Sequence, residues 1–179
     1  MEELKKSLAP HASKFGSILG GILIAFNLLL YVLNVSLDSS IFMIDYLIFI
    51  GVLFLGIKSY RDATGGYITY GRSLALGVLI CVFASIIMAF YKFIYFKFID
   101  TAGIDKLFRL MQDKWATQGI DEDKTEQMIE MMKKFMGPVF MAVSAVFEVV
   151  FKGVILSLIL SIFLKKQDKS FEGTFKNEQ

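Results

Sequence analysis

Residues Ser73 to Tyr91, SLALGVLICVFASIIMAFY, run for nineteen positions without a charge. At about 1.5 Å per helical residue this is enough to cross a hydrocarbon core of about 30 Å. A helix of that length in a soluble domain needs a polar face, and this one has none. Gly77, Cys81, Ser85 and Ala89 recur along it every fourth residue, so they form a small-residue seam on one face, where a second helix can approach closely. The run continues to Phe98 through a segment dense in aromatics that carries Lys92 and Lys97, the composition of a membrane–water interface.

Three more runs have the same character. A polar head, residues 1–14, carries Lys5, Lys6 and Lys14 and precedes an apolar run from Phe15 to Leu37. That run is longer than the apolar part of a signal peptide, and no small-x-small cleavage pattern follows it, so it reads as a retained first span. Gly16 and Gly20 in it have G-x-x-x-G spacing, and Asn27 sits in its interior. The short turn Leu37-Asp38-Ser39-Ser40 sends the chain back antiparallel into a second span, Ile41 to Ile57, apolar except for Asp45. The connection Lys58 to Arg72 turns at Gly65-Gly66. It lacks the G-K-[ST] and the preceding strand of a phosphate-cradling loop. A fourth span, about 138–164, starts at the Gly137-Pro138 break and closes on Lys165 and Lys166. The polar tail 167–179 reads as disordered.

Between the third span, about 73–98, and the fourth lies the largest polar piece, Asp100 to Gly137. Helical spacing predicts two amphipathic helices there, about 104–118 and 121–136. Ile104, Leu107, Phe108, Met111 and Trp115 form the apolar side of the first, with Gly119 as its stop. Asp121, Glu122 and Asp123 start the second, where negative charge suits the helix dipole, and Met128, Met131, Met132, Phe135 and Met136 make its apolar stripe. Such a hairpin would lie on the membrane surface or fold back over the mouth of the bundle.

Basic residues set the expected orientation. The head, the second connection and the chain from Lys165 onward hold ten of the 19 Lys and Arg, and the turn around Asp38 holds none. Four spans with both termini in the cytoplasm satisfy this bias. The expectation is an all-α integral membrane protein of the inner membrane: an antiparallel four-helix bundle with an extracytoplasmic amphipathic hairpin between spans three and four.

Counted from the cytoplasmic ends, Asn27, Asp45, Ser85, Glu148 and Lys152 fall roughly 18–24 Å up their spans, in one polar layer, with Lys92 just above. Glu148 and Lys152 share a helix face at i, i+4. An unpaired charge at such a depth costs about 2.5–3.5 kcal/mol on insertion scales, so Asp45 is expected to bond Lys152 and Lys92 to bond Glu148. Three readings stand side by side. The layer glues the helices in register, or it lines a proton, ion or solute pathway, or the membrane core is thinner and Lys152 snorkels upward. On the fourth span Gly153, Ser157 and Ser161 also recur every fourth residue, and an antiparallel neighbour would set them against the seam of the third.

Several chemistries have no residues to carry them. A net charge of +2 suggests no nucleic-acid partner. One cysteine, Cys81, excludes an internal disulfide, and with one histidine, His11, there is no ligand set for zinc or haem. A methionine stripe at helical spacing reads as an apolar face, not a copper site. No catalytic constellation and no cofactor site is visible.

The stretch YITYGRSLALGVLICVFASIIMAFYKFIYFKFID, followed by GIDEDKTEQMIEMMKKFMGPVF and a last span with Gly153 near its middle, resembles domain-of-unknown-function family 4199, a bacterial membrane family found mainly in Bacteroidota. The resemblance spans roughly Gly16 to Lys166 and implies four spans; it implies no activity and no site residues. Two function classes are left. One is a non-enzymatic membrane component whose partners are the bilayer and either a second copy or another membrane protein. The other is a small oligomeric transporter or channel-like protein that uses the polar layer.

Overall fold

The computed structural model describes residues 7–33 and 39–166. The start of the head, the Leu37-Asp38 part of the first turn and the tail beyond Lys166 lie outside the described residues. Six α-helices account for almost all of the rest: α1 Leu8–Val32, α2 Ser39–Ala63, α3 Tyr70–Ile94, α4 Gly103–Thr117, α5 Glu122–Phe135 and α6 Pro138–Leu164. Among the described residues there is no strand. Four helices are long and apolar enough to cross a membrane, over Leu8–Val32, Met43–Ala63, Tyr70–Ile99 and Pro138–Leu164. This is an all-α chain with the helices of a multi-pass membrane protein.

Two helices outrun the apolar segments that mark them. α1 begins at Leu8, ahead of Phe15. Pro10 falls in its first turn, where the missing N–H would have had no partner in any case, and Ala12 is fully buried. α2 continues past Ile57 to Ala63 with Tyr60 buried, and the Thr64 hydroxyl donates to the Tyr60 carbonyl at 3.0 Å. Hydropathy reports what lipid can cover, whereas helical hydrogen bonding continues into the polar turns beyond. The chain then turns at Gly65 and Gly66, whose φ values of 82° and 85° favour glycine. α3 does not stop at Ile94 either. A π-helical turn, Tyr95–Ile99, prolongs it, closed by the Asp100 N–H donating to the Tyr95 carbonyl at 2.8 Å.

The chain divides into two compact units. The first comprises residues up to Ser85 and those from Val149 onward. Leu19, Leu23, Phe49, Leu53, Ile57, Leu76 and Ile80 make its core. α1 and α2 run antiparallel: His11, at the start of α1, shares a hydrogen bond of 3.1 Å with the carbonyl of Gly56, late in α2. Around this point α3 joins them. A Cβ on Gly56 would stand 2.8 Å from Ile80 Cδ1 and 3.2 Å from Phe15 Cγ, and one on Gly16 would stand 2.7 Å from the Ile80 carbonyl oxygen. Gly16 therefore serves contact within the chain. At the polar end, Ile68 and Lys166 pair as an isolated antiparallel bridge, their amides donating to each other's carbonyls at 2.9 and 3.0 Å.

The second unit, Ile86–Glu148, holds the end of α3, the π-helical turn, α4, α5 and the start of α6. α4 and α5 pack on each other, with Phe108 and Ile129 buried and the Lys133 ammonium 6.0 Å from the Phe108 ring centroid. α4 ends before Gly119, at φ 75°. Asp121 caps α5, its carboxylate accepting from the Asp123 N–H at 3.0 Å.

Candidate functional site

Asp45 lies two turns into α2, on an apolar helix that offers its carboxylate no partner of its own. Lys152 lies at the middle of α6. The structure brings them together: Lys152 Nζ donates to Asp45 Oδ2 at 2.9 Å, and each side chain is less than a fifth exposed. The ammonium is also walled by two rings of α2, at 5.6 Å from the centroid of Tyr46 and 5.7 Å from that of Phe49. A cation over aromatic faces gains about 0.5–2 kcal/mol, more as water is excluded. Phe49 stands four residues after Asp45, on the same helix face, so acid and ring form one pocket for the lysine. The sequence reading missed both rings. Their signal was the spacing, an aromatic one turn from a carboxylate in an apolar span.

Next to this pair α3 and α6 pack through small residues. A Cβ on Gly77 would fall on Ser157, within 2.8 Å of its Cβ, and one on Gly153 would fall on the Cys81 sulfur, 2.5 Å from its Cβ. The two contacts advance four residues along α3 and retreat four along α6, so the helices are antiparallel and the small residues of each seam oppose those of the other. Carried one turn further, the register sets Ser73 opposite Ser161. Ser73, Ser157 and Ser161 are fully buried, and their hydroxyls have no hydrogen-bond partner among the described residues. Their part in the seam is size, since a buried unpaired hydroxyl costs about 1–3 kcal/mol. Ser157→Ala is accordingly expected to raise stability in detergent by on the order of 1 kcal/mol, read as a higher Tm.

A family model described as "Protein of unknown function (DUF4199)" matches residues 14–166, a segment that takes in nearly all of the four apolar helices, the ion pair and the seam. The chain belongs to this family. No curated protein and no solved structure matches it. Within the DUF4199 segment the remaining members of the expected polar layer take different surroundings. The Asn27 amide donates to the Leu23 carbonyl at 2.9 Å and the Ser85 hydroxyl to the Val82 carbonyl at 2.7 Å, each on its own helix. Lys92 and Glu148 belong to the second unit, as does Ala89. Lys92 Nζ lies 5.9 Å from the Phe96 ring centroid, and Glu148 is exposed. Among the described residues no three His, Cys, Asp or Glu side chains cluster as metal ligands would. His11, just ahead of the matched segment, packs at a tilt on Phe15 and edge-on to Tyr60, with ring centroids 5.0 and 5.4 Å away. Here too the signal was an i, i+4 aromatic neighbour.

Proposed function

We propose that this DUF4199 chain is a non-enzymatic component of the inner membrane, with both termini cytoplasmic, and that Asp45 and Lys152 fix the register of its second and fourth spans. The observation that carries this reading is the 2.9 Å bond between them within one copy. A pathway needs charges that face a shared aqueous cavity. Here the acid meets its base inside the chain, and the small-residue faces of Gly16, Gly77 and Gly153 are occupied by the chain's own helices. The orientation rests on the ten Lys and Arg of the head, the second connection and the chain from Lys165 onward. The protein then acts through its packing and through contacts with the bilayer or with other membrane proteins.

Purified protein in sealed vesicles tests this directly. Neither protons, alkali cations nor chloride are expected to cross faster than in protein-free vesicles, for wild type or for Asp45→Asn, between pH 6 and pH 8. A saturable flux that wild type supports and Asp45→Asn abolishes, with the variant's Tm unchanged, would replace this reading with the oligomeric transporter.

A further inference from the structure

The apolar residues of α4 and α5 are of two kinds. On α4, Ile104, Phe108, Met111 and Trp115 (i, i+4, i+7, i+11) form a wholly or partly buried stripe, while Leu107 and Leu110 are exposed, the latter by 66%. On α5, Thr125, Ile129, Met132 and Met136 repeat that spacing as the covered stripe. Met128, Met131 and Phe135 lie outside it, and Met131 and Phe135 are 64% and 73% exposed. The single apolar stripe read from the α5 sequence is thus two adjacent stripes, of which α4 covers one.

In each helix the exposed stripe is displaced from the covered one in the same rotational sense, by roughly 100° at 100° per residue. The link between the helices is only residues 118–121, so they run antiparallel, and a two-fold axis normal to their common plane relates them. Under that symmetry both exposed stripes emerge on the same side. One lysine is set into each: Lys114 continues Leu107 and Leu110, and Lys124 precedes Met128, Met131 and Phe135 at helical spacing. The acids Asp105, Asp113, Asp123, Glu126 and Glu130 lie off these stripes. A two-helix face that is apolar and basic where charged, with all the acids and the remaining cations (Lys106, Arg109, Lys133 and Lys134) off it, has the segregation of an interfacial helix. Lysine stems lie along the apolar surface and their ammonium groups reach the phosphates. The tethers agree. Only residues 100–102 separate the end of the π-helical turn from α4, and only 136–137 separate α5 from α6. At about 3.3–3.6 Å per residue neither junction can leave the level of the membrane surface by more than about 15 Å.

We infer that the Leu107–Leu110–Lys114 and Lys124–Met128–Met131–Phe135 face of the α4–α5 pair is seated in the phospholipid headgroup layer, its apolar side chains at the acyl boundary and its two lysines on lipid phosphate. The test uses the full-length protein in phosphatidylcholine vesicles, with and without phosphatidylglycerol. One nitroxide at a time is placed at 110, 128 or 131, or at the polar positions 113, 126 or 130, with Cys81 replaced by alanine. Collisions with oxygen, which concentrates in lipid, are expected to exceed those with a water-soluble nickel chelate at 110, 128 and 131, and the order is expected to reverse at 113, 126 and 130. Lys114→Glu with Lys124→Glu is expected to shrink this contrast several-fold more when phosphatidylglycerol is present. Nickel access throughout would mean that the face is in water. Low access to both reagents at 110, 128 and 131 would mean that a protein, not lipid, covers it. Either result overturns the inference while leaving the vesicle flux outcome, and the reading that rests on it, untouched.

Discussion

Asp45→Leu is expected to destabilise the protein by about 3–5 kcal/mol, because it removes the carboxylate bonded to a largely buried Lys152 ammonium. Lys152→Met should cost a similar amount through the stranded carboxylate. The informative variant is the double one. Two apolar side chains of similar volume need neither desolvation nor pairing, and replacing a largely buried ion pair in this way is often neutral or stabilising. Asp45→Leu/Lys152→Met is therefore expected to recover most of either single loss, with a coupling term of on the order of 3 kcal/mol in a double-mutant cycle. Unfolding in mixed micelles measures all four proteins. If each single substitution costs under about 1 kcal/mol, the bond behaves like a solvated surface pair, and the register role assigned to it fails.

Gly153→Val should be the most damaging single substitution on α6. The atom that a Cβ would meet first is the Cys81 sulfur, and the next, at 2.5 Å, is the Cys81 Cβ, which is fixed to the α3 backbone and cannot rotate away. The helices must move apart, which loosens the Gly77–Ser157 contact one turn below. Overpacking typically costs about 1–3 kcal/mol, and a displacement of two backbones belongs at or above the top of that range. Two controls make the cause specific. Gly51→Val, on the same protein but with nothing within 4 Å of its added Cβ, should change little. Exchanging the two residues, as Gly153→Cys with Cys81→Gly, keeps one large and one small partner at the crossing and should restore much of the Tm. A Gly153→Val protein as stable as Gly51→Val would show that α3 and α6 do not touch there.

The elements that were legible in the sequence share a physical cause. Four long apolar runs must be helices if they enter lipid, since every backbone amide there needs an internal partner, and four such helices are present. The spacing of Gly77 and Cys81 and of Gly153 and Ser157 showed which faces are small, and two complementary small faces have one antiparallel register. The ion pair was legible because a membrane makes an isolated Asp or Lys costly, so that each implies the other. Other features left no such trace. α2 passes Ile57 because Tyr60 packs and Thr64 closes the helix, neither of which hydropathy registers. The π-helical turn at Tyr95–Ile99 changes hydrogen bonding by one residue without requiring a particular side chain. The split of α5 into a covered and an uncovered stripe depends on where α4 lies, and a helix's own sequence shows the width of its apolar arc but not how a neighbour divides it.

The pairing of Asp45 with Lys152 also constrains how the protein is made. The partners are 107 residues apart. At a synthesis rate of about 5–20 residues per second, the second span waits roughly 5–20 s between its own emergence and that of the lysine that neutralises it. Throughout that interval the second span must remain in the translocation machinery or reside at the interface, because the basic residues of the first three spans, Lys14, Lys58, Arg61, Arg72, Lys92 and Lys97, all lie towards the span ends. Membrane insertion of α2 is then complete only when α6 arrives. A ribosome stalled or a message truncated before codon 152 yields a chain that lacks more than a helix: its second span has no stable resting depth.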